Sequence, residues 1–194
     1  MTVPENGVRH LYLARHGQTA LNAEGRLRGL ADPPLDAAGE AEARRLAEAL
    51  AAKGSSIVIS SPLQRAVHTA AAIAKRAGVA HVVDERFNDR DYGPQTGRLK
   101  TEVIAQWGSV DDAPGVESAR NVLARVRPAL DAVLDENPEG SVIVVTHEAV
   151  IRPLIASLAP AWQPELSAPT GSWNDLCRAG ADWTIVAADQ TPAG

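Results

Sequence analysis

The chain is poor in sulfur and in aromatic rings, and it has no long apolar run. One cysteine in 194 residues, Cys177, excludes an intramolecular disulfide and any zinc centre built from several cysteines. No stretch approaches the roughly 18 consecutive apolar residues of a membrane span, and the first residues lack the charged-then-apolar order of a secretion signal, so a soluble cytoplasmic protein is expected. Surplus positive charge is also missing. Lys and Arg number 19 against 24 Asp and Glu, a net −5, which argues against nucleic acid and anionic membrane as partners. Any phosphate site must therefore be locally basic. The low aromatic content, 4%, accompanies abundant Ala and Arg and carries no functional information.

What is present suffices for a core. With 45% hydrophobic residues over 194 positions, one domain spanning 1–194 is expected, with 1–7 and 189–194 loosely ordered. Leu11-Tyr-Leu-Ala-Arg15-His16-Gly17-Gln18-Thr19 is an apolar run that stops at an arginine, a histidine and a glycine. It reads as a buried strand, 8–14, feeding a reactive loop, because ligands gather beyond the carboxyl ends of strands in open α/β sheets. Val142-Ile-Val-Val-Thr146-His147 repeats that design.

Between these two, strands are expected at 57–59 and 79–83, and a last one at 183–187 before a frayed tail. Asp36 is a candidate N-cap for a helix to Lys53, and Gly54 follows its end. Pro62 is expected to open a helix carrying Arg65 and Thr69. Further helices are expected at 99–107, 117–137 with a bend at Pro128, and 149–158. The segment 17–34 is too broken by Gly and Pro for a regular element, and 84–93 is a dense run of charge. Alternating strands and helices imply an α/β fold, a three-layer α/β/α sandwich around a mostly parallel sheet.

A shared sheet edge would bring His16, Arg65 and His147 to one crevice. There a histidine can attack phosphorus through an imidazole nitrogen, and guanidinium groups can hold the phosphoryl oxygens in a fork. His16 is the candidate nucleophile, with Arg15, Arg65 and His147 stabilising charge on the transferring group. His10, His68 and His81 lack such context and read as structural or surface residues.

These residues carry a resemblance. Arg15-His16-Gly17-Gln18-Thr19 with Asn22, Ser60-Ser61-Pro62-Leu63 with Arg65-Ala66 and Thr69-Ala70, and Thr146-His147 closing an apolar strand resemble the histidine phosphatase superfamily, also called phosphoglycerate mutase-like. Tyr92-Gly93 with Gly97, and Gly115-Val-Glu117-Ser118, are looser echoes. The resemblance implies a phosphohistidine on His16, no metal and no cofactor. It also implies substrate binding through Arg15, Gln18, Thr19, Asn22, Arg65 and His147. The family's proton donor is a glutamate four positions before the loop glycine, a position held here by Asp89, with Asp91 as the nearest rival. Glu148 departs from the small residue usual after the second histidine, and is read as an acidic residue favoured in a helix's first turn rather than as a substrate contact.

The expected activity is hydrolysis of a small phosphorylated metabolite. A mutase is the alternative, with Lys100 as part of its apparatus but an acidic Asp111-Asp112 where positive charge would be wanted. A phosphate-binding regulatory module is the third reading, kept by the short arm of Asp89. The substrate's organic part is expected to be read by the two long loops and by 170–174, and a homodimer is left open.

Overall fold

The computed structural model describes residues 8–162 and 165–192. The expected loose lead-in, 1–7, and the last two residues lie outside them. Six strands form one sheet: β1 Val8–Arg15, β2 Ser55–Ser60, β3 Ala80–Val83, β4 Ser141–Thr146, β5 Trp173–Ala179 and β6 Asp182–Gln190. Their order is β3-β2-β4-β1-β5-β6. The pairings β3·β2, β2·β4 and β4·β1 are parallel, while β1·β5 and β5·β6 are antiparallel. The sheet is therefore mixed, with a parallel half and a terminal hairpin.

Helices cover both faces, as strands buried on both sides require. Along β1, Leu11 and Leu13 face one cluster while Tyr12 and Ala14 face the other; along β4, Val142 and Val144 alternate with Ile143 and Val145 in the same way. The first cluster is closed by α5 (Ala119–Glu136) and α6 (Glu148–Leu158), through Val122, Val126, Leu130, Ile151 and Leu154. The second is closed by α2 (Ala37–Ala51) and α3 (Gln64–Ala77), through Leu46, Leu50, Ala70 and Ile73. Each of these leucines, fully buried, is worth about 2–5 kcal/mol against truncation to alanine.

Several expectations need correction. The loop at 17–34 contains one helical turn, α1 (Ala20–Ala23), because Thr19 and Asn22 form a reciprocal capping box. Pro62 does not open α3. Leu63 is its N-cap, with no side-chain cap bond, and the free Gln64 amide donates instead to Asp32 at 2.8 Å. Residues 189 and 190 are not frayed, since β6 runs to Gln190 and Asp189 accepts from the Ser167 and Ala168 amides at 2.7 and 2.8 Å. Trp173 and Asn174 open β5, a strand that was not expected. α5 continues through Pro128, and α4 spans Lys100–Trp107.

Between sheet and solvent at the strands' carboxyl ends, a small third cluster of Leu27, Tyr92, Val103 and Ala113 ties loop 25–34 to loop 84–99 and α4. No helix among the described residues is long and apolar enough to cross a membrane.

Candidate active site

β1, β2 and β4 end side by side. Arg15 pairs with Thr146 and Ser60 with Val145 in register, so the next residue of each strand, His16, Ser61 and His147, leaves the sheet at one edge. The His16 amide still donates to Thr146 O at 3.2 Å and the Ser61 amide to Val145 O at 3.1 Å. Gly17 follows because the loop here presses backbone to backbone on the start of α2: a Cβ at Gly17 would overlap the Gly39 carbonyl, and one at Gly39 would overlap the main chain of Gln18. The Gln18 amide donates to Glu42 at 2.7 Å, and the Gly17 amide to Thr69 Oγ1 at 3.1 Å.

His16 Nδ1 lies 2.6 Å from the Gly17 carbonyl. A carbonyl only accepts, so Nδ1 carries the proton and Nε2 keeps its lone pair. That lone pair faces Arg65, whose Nε is 3.3 Å away. Burial holds the His16 imidazole well below its ordinary titration range, and His147, Arg65 and Arg15 push it further the same way. The ring is neutral at pH 7 and able to attack an electrophile.

Arg65 is held on every side: Nη1 donates to Ala31 O at 2.8 Å, and Nη2 to Gly29 O and to Asp89 Oδ2, each at 2.9 Å. Asp89 also accepts the Arg90 amide at 2.8 Å, and its backbone carbonyl is braced by Arg125 from α5 at 2.9 Å. His147 Nε2 is 2.8 Å from Ser61 Oγ, while its Nδ1 lies 3.5 Å from Asp89 Oδ2 and has no hydrogen-bond partner. Burial, then Arg65 and Arg28, hold this ring neutral too. The rings of His16 and His147 are 5.0 Å apart.

Arg15, the last residue of β1, donates from Nη1 to Ala168 O at 2.6 Å, and the same atom is 3.2 Å from Glu148. Its burial lowers the guanidinium to about 10, still fully charged at neutral pH. The five groups form a sealed floor: Arg65 and His16 are 0% exposed, His147 1%, Asp89 2% and Arg15 6%. Above it lies a cavity of 690 Å³ whose walls include Arg15, Gln18, Asn22, Arg28, Tyr92, Lys100 and Glu148. His16, Arg65 and His147 are not among the residues that line it.

The structure thus brings together His16, Arg15, Arg65, His147 and Asp89, and places Gln18 and Asn22 on the cavity wall. It does not bring Thr19 there. The Thr19 hydroxyl is buried and donates to Asn22 Oδ1 at 2.8 Å, so its work is to fold the turn. Asp91 is also elsewhere, exposed and accepting from the Gly93 amide at 2.7 Å. Glu148 does stand in the first turn of α6, but its carboxylate is also a cavity wall. Ser61 and Thr69, present in the sequence motifs without a role, are the groups that orient His147 and the Gly17 amide.

Arg28 and Arg90 stood in the two polar loops of the sequence without a role of their own. Arg28 acts electrostatically on Arg15, Arg65 and His147, and its Nε is buried without a partner, as is that of Arg15. Gly25 and Gly29 on either side, both at positive φ, were the available signal. Among the described residues, no group of three or more His, Cys, Asp or Glu side chains is arranged to hold a metal.

Comparison with known proteins agrees with this geometry. A family model described as "Histidine phosphatase superfamily (branch 1)" matches residues 11–191. A "probable phosphoglycerate mutase GpmB" of Salmonella paratyphi C is 36% identical over 165 residues, covering 78% of this chain and 76% of that protein. A 2,3-bisphosphoglycerate-dependent phosphoglycerate mutase of Methylobacterium is 37% identical over 167 residues, covering 77% and 80%. Among solved structures, a mycobacterial glucosyl-3-phosphoglycerate phosphatase complexed with VO3 superposes with a TM-score of 0.82 at 28% identity, over 94% of this chain and 100% of that one.

Proposed function

The chain belongs to the histidine phosphatase superfamily, and on that premise we propose that it is a phosphomonoester hydrolase acting on a small phosphorylated metabolite. The observation that carries the reading is the unprotonated Nε2 of His16, held neutral by burial and faced by Arg65, with the buried Nε of Arg15 and Nδ1 of His147 left without partners in the same floor. Buried polar nitrogens without partners are rare, and two of them in the floor that holds the nucleophile suit an oxyanion with several oxygens.

In the proposed reaction His16 Nε2 bonds to phosphorus as the ester P–O bond breaks. Arg15, Arg65 and His147 carry the charge of the transferring oxygens, with Gln18 and Asn22 at the cavity end of the phosphoryl group. Asp89 passes a proton to the departing alcohol oxygen. Water then attacks the phosphohistidine, its proton passing to the Asp89 carboxylate, and inorganic phosphate leaves as the P–N bond breaks. The shorter arm of aspartate is compatible with this role because Arg65 and His147 already bring Asp89 to the floor.

Hydrolysis is favoured over phosphoryl return to a second hydroxyl by a carboxylate of the cavity. Asp111 binds Arg90 at 2.6 Å, so one of the cavity cations that could hold a second acidic group is already paired. The two curated relatives named as mutases keep the alternative in view. A panel of phosphorylated metabolites, read for phosphate release beside a mutase assay, decides. Acid quench during turnover is expected to trap acid-labile phosphate on the wild type and none on His16→Ala. Isomerisation without phosphate release would replace hydrolase by mutase, and tight phosphate binding without turnover of any ester would make the protein a binding module.

A further inference from the structure

Glu148 is the first residue of α6, directly after His147. A carboxylate near a helix start interacts favourably with the helix dipole, but that needs only proximity to the amides, and this side chain does something more specific. Its Oε2 lies 3.2 Å from Arg15 Nη1 and its Oε1 3.5 Å from Nη1 of Arg152, four residues on along the same helix. All three residues line the 690 Å³ cavity. The two arginines are unequal hosts, since the Arg15 side chain is 8% exposed and that of Arg152 is 44% exposed. The carboxylate thus spans from the buried floor to the solvated wall, with a cationic partner at each end.

This places an anion on the cation assigned to the phosphoryl group. Two anions cannot both pair closely with Arg15 without mutual repulsion. An incoming phosphate therefore displaces Glu148, and Arg152 is positioned to keep it.

Resting on the reading of Arg15 as a phosphoryl ligand, we propose that Glu148 is a built-in competing anion that lowers the pocket's affinity for free inorganic phosphate. The displacement opposes the binding of every anion, but not with equal result. A phosphoester also gains contacts between its organic part and the outer cavity, which offset the lost ion pair. Inorganic phosphate has no such part, so the product is held more weakly than the substrate and leaves the site sooner. The opposite role, a brace that preorganises Arg15, would require the carboxylate to strengthen phosphate binding, so the sign of one measurement separates the two.

The experiment measures the dissociation constant of inorganic phosphate by calorimetry, and its inhibition constant against p-nitrophenyl phosphate, for wild type, Glu148→Gln, Arg152→Ala and Arg15→Ala, with thermal melts to establish that each variant folds. Glu148→Gln keeps the shape and removes the charge, and is expected to bind phosphate about five- to tenfold more tightly, the scale of a partly buried ion pair. Its kcat should fall as product release slows, while KM falls too. Arg152→Ala leaves Arg15 as the carboxylate's only partner and should weaken phosphate binding, an effect of opposite sign. Unchanged or weaker binding by Glu148→Gln overturns the proposal and makes Glu148 a brace. Phosphate binding that Arg15→Ala abolishes preserves Arg15 as a phosphoryl ligand whichever way Glu148→Gln falls. Phosphate binding untouched by Arg15→Ala overturns both.

Discussion

β1 and β4 are neighbouring parallel strands that end on His16 and His147, yet their imidazoles are held by opposite edges. His16 is fixed at Nδ1 by the Gly17 carbonyl and presents an unprotonated Nε2 to Arg65. His147 is fixed at Nε2 by Ser61 and presents Nδ1 toward Asp89. A carbonyl partner dictates a tautomer, whereas a hydroxyl can donate or accept. The first ring is therefore left with an unprotonated Nε2, the form a nucleophile needs. The second can supply a proton at Nδ1 to a phosphoryl oxygen, with Ser61 adjusting to either state. The same sequence device, an apolar run closed by histidine, yields two chemical settings because one oxygen partner can only accept and the other can also donate.

The strongest way to break this comparison is to remove each ring. His16→Ala should lose at least about four orders of magnitude in kcat/KM, the scale of losing a nucleophile. His147→Ala should lose about two to three, the scale of one preorganised donor, and should still form acid-labile phosphoenzyme in single-turnover experiments. Equal losses, or phosphoenzyme absent from both, would erase the distinction.

Asp89 sharpens it from the other side, since it stands beside His147 and Arg65 rather than beside the bare nitrogen of His16. Asp89→Asn is expected to slow hydrolysis of an alkyl phosphate by about a hundredfold or more while slowing p-nitrophenyl phosphate far less, because a phenolate departs without a proton. Equal slowing of both esters would reduce Asp89 to a holder of Arg65.

Both rings also leave a mark on stability. Each folded-state value is held well below the ordinary 6.5, so the unfolded chain takes up protons that the folded one refuses once pH falls through 6.5. Their contribution is complete above that pH and is lost on acidification, at up to about 1.4 kcal/mol per pH unit for each ring. Urea unfolding at pH 7.5 and 5.5 should show a smaller drop for His147→Gln than for wild type. An identical drop would mean that the ring titrates normally in the fold.

The smallest effect is expected from the serine. Ser61→Ala removes one hydrogen bond from His147, worth about 1 kcal/mol, and should lower kcat roughly fivefold with KM little changed. A loss as large as that of His147→Ala would show that Ser61 fixes the tautomer rather than merely the ring's direction.

The parallel half of the fold was legible because β1 and β4 bury both faces and so read as unbroken apolar runs, and the α/β class followed from their alternation with helices. β5 escaped because Asn174 and Asp175 interrupt it, and polar residues in a strand are tolerated only with partners the sequence does not display. Asn174 is fully buried and reaches Leu13 O at 3.3 Å and the Asp189 amide at 3.0 Å. The same holds in the site. His16, Arg65 and His147 were visible as residues closing or following strands, but the cations of loop 25–29 enter through a tertiary clasp. That clasp, Leu27 against Tyr92 and Val103, has no local period.

The backbone contact between Gly17 and Gly39 has one more consequence. Neither position has room for a single added carbon, because what it would strike is main chain, which cannot rotate away as a side chain does. The spacing between the reactive loop and α2 is thus indifferent to rotamers, and no replacement at one glycine can be relieved by a change at the other. Warming the protein would loosen the long arginines of the cavity wall, whose aim depends on many torsions, well before it altered the direction in which Nε2 of His16 points.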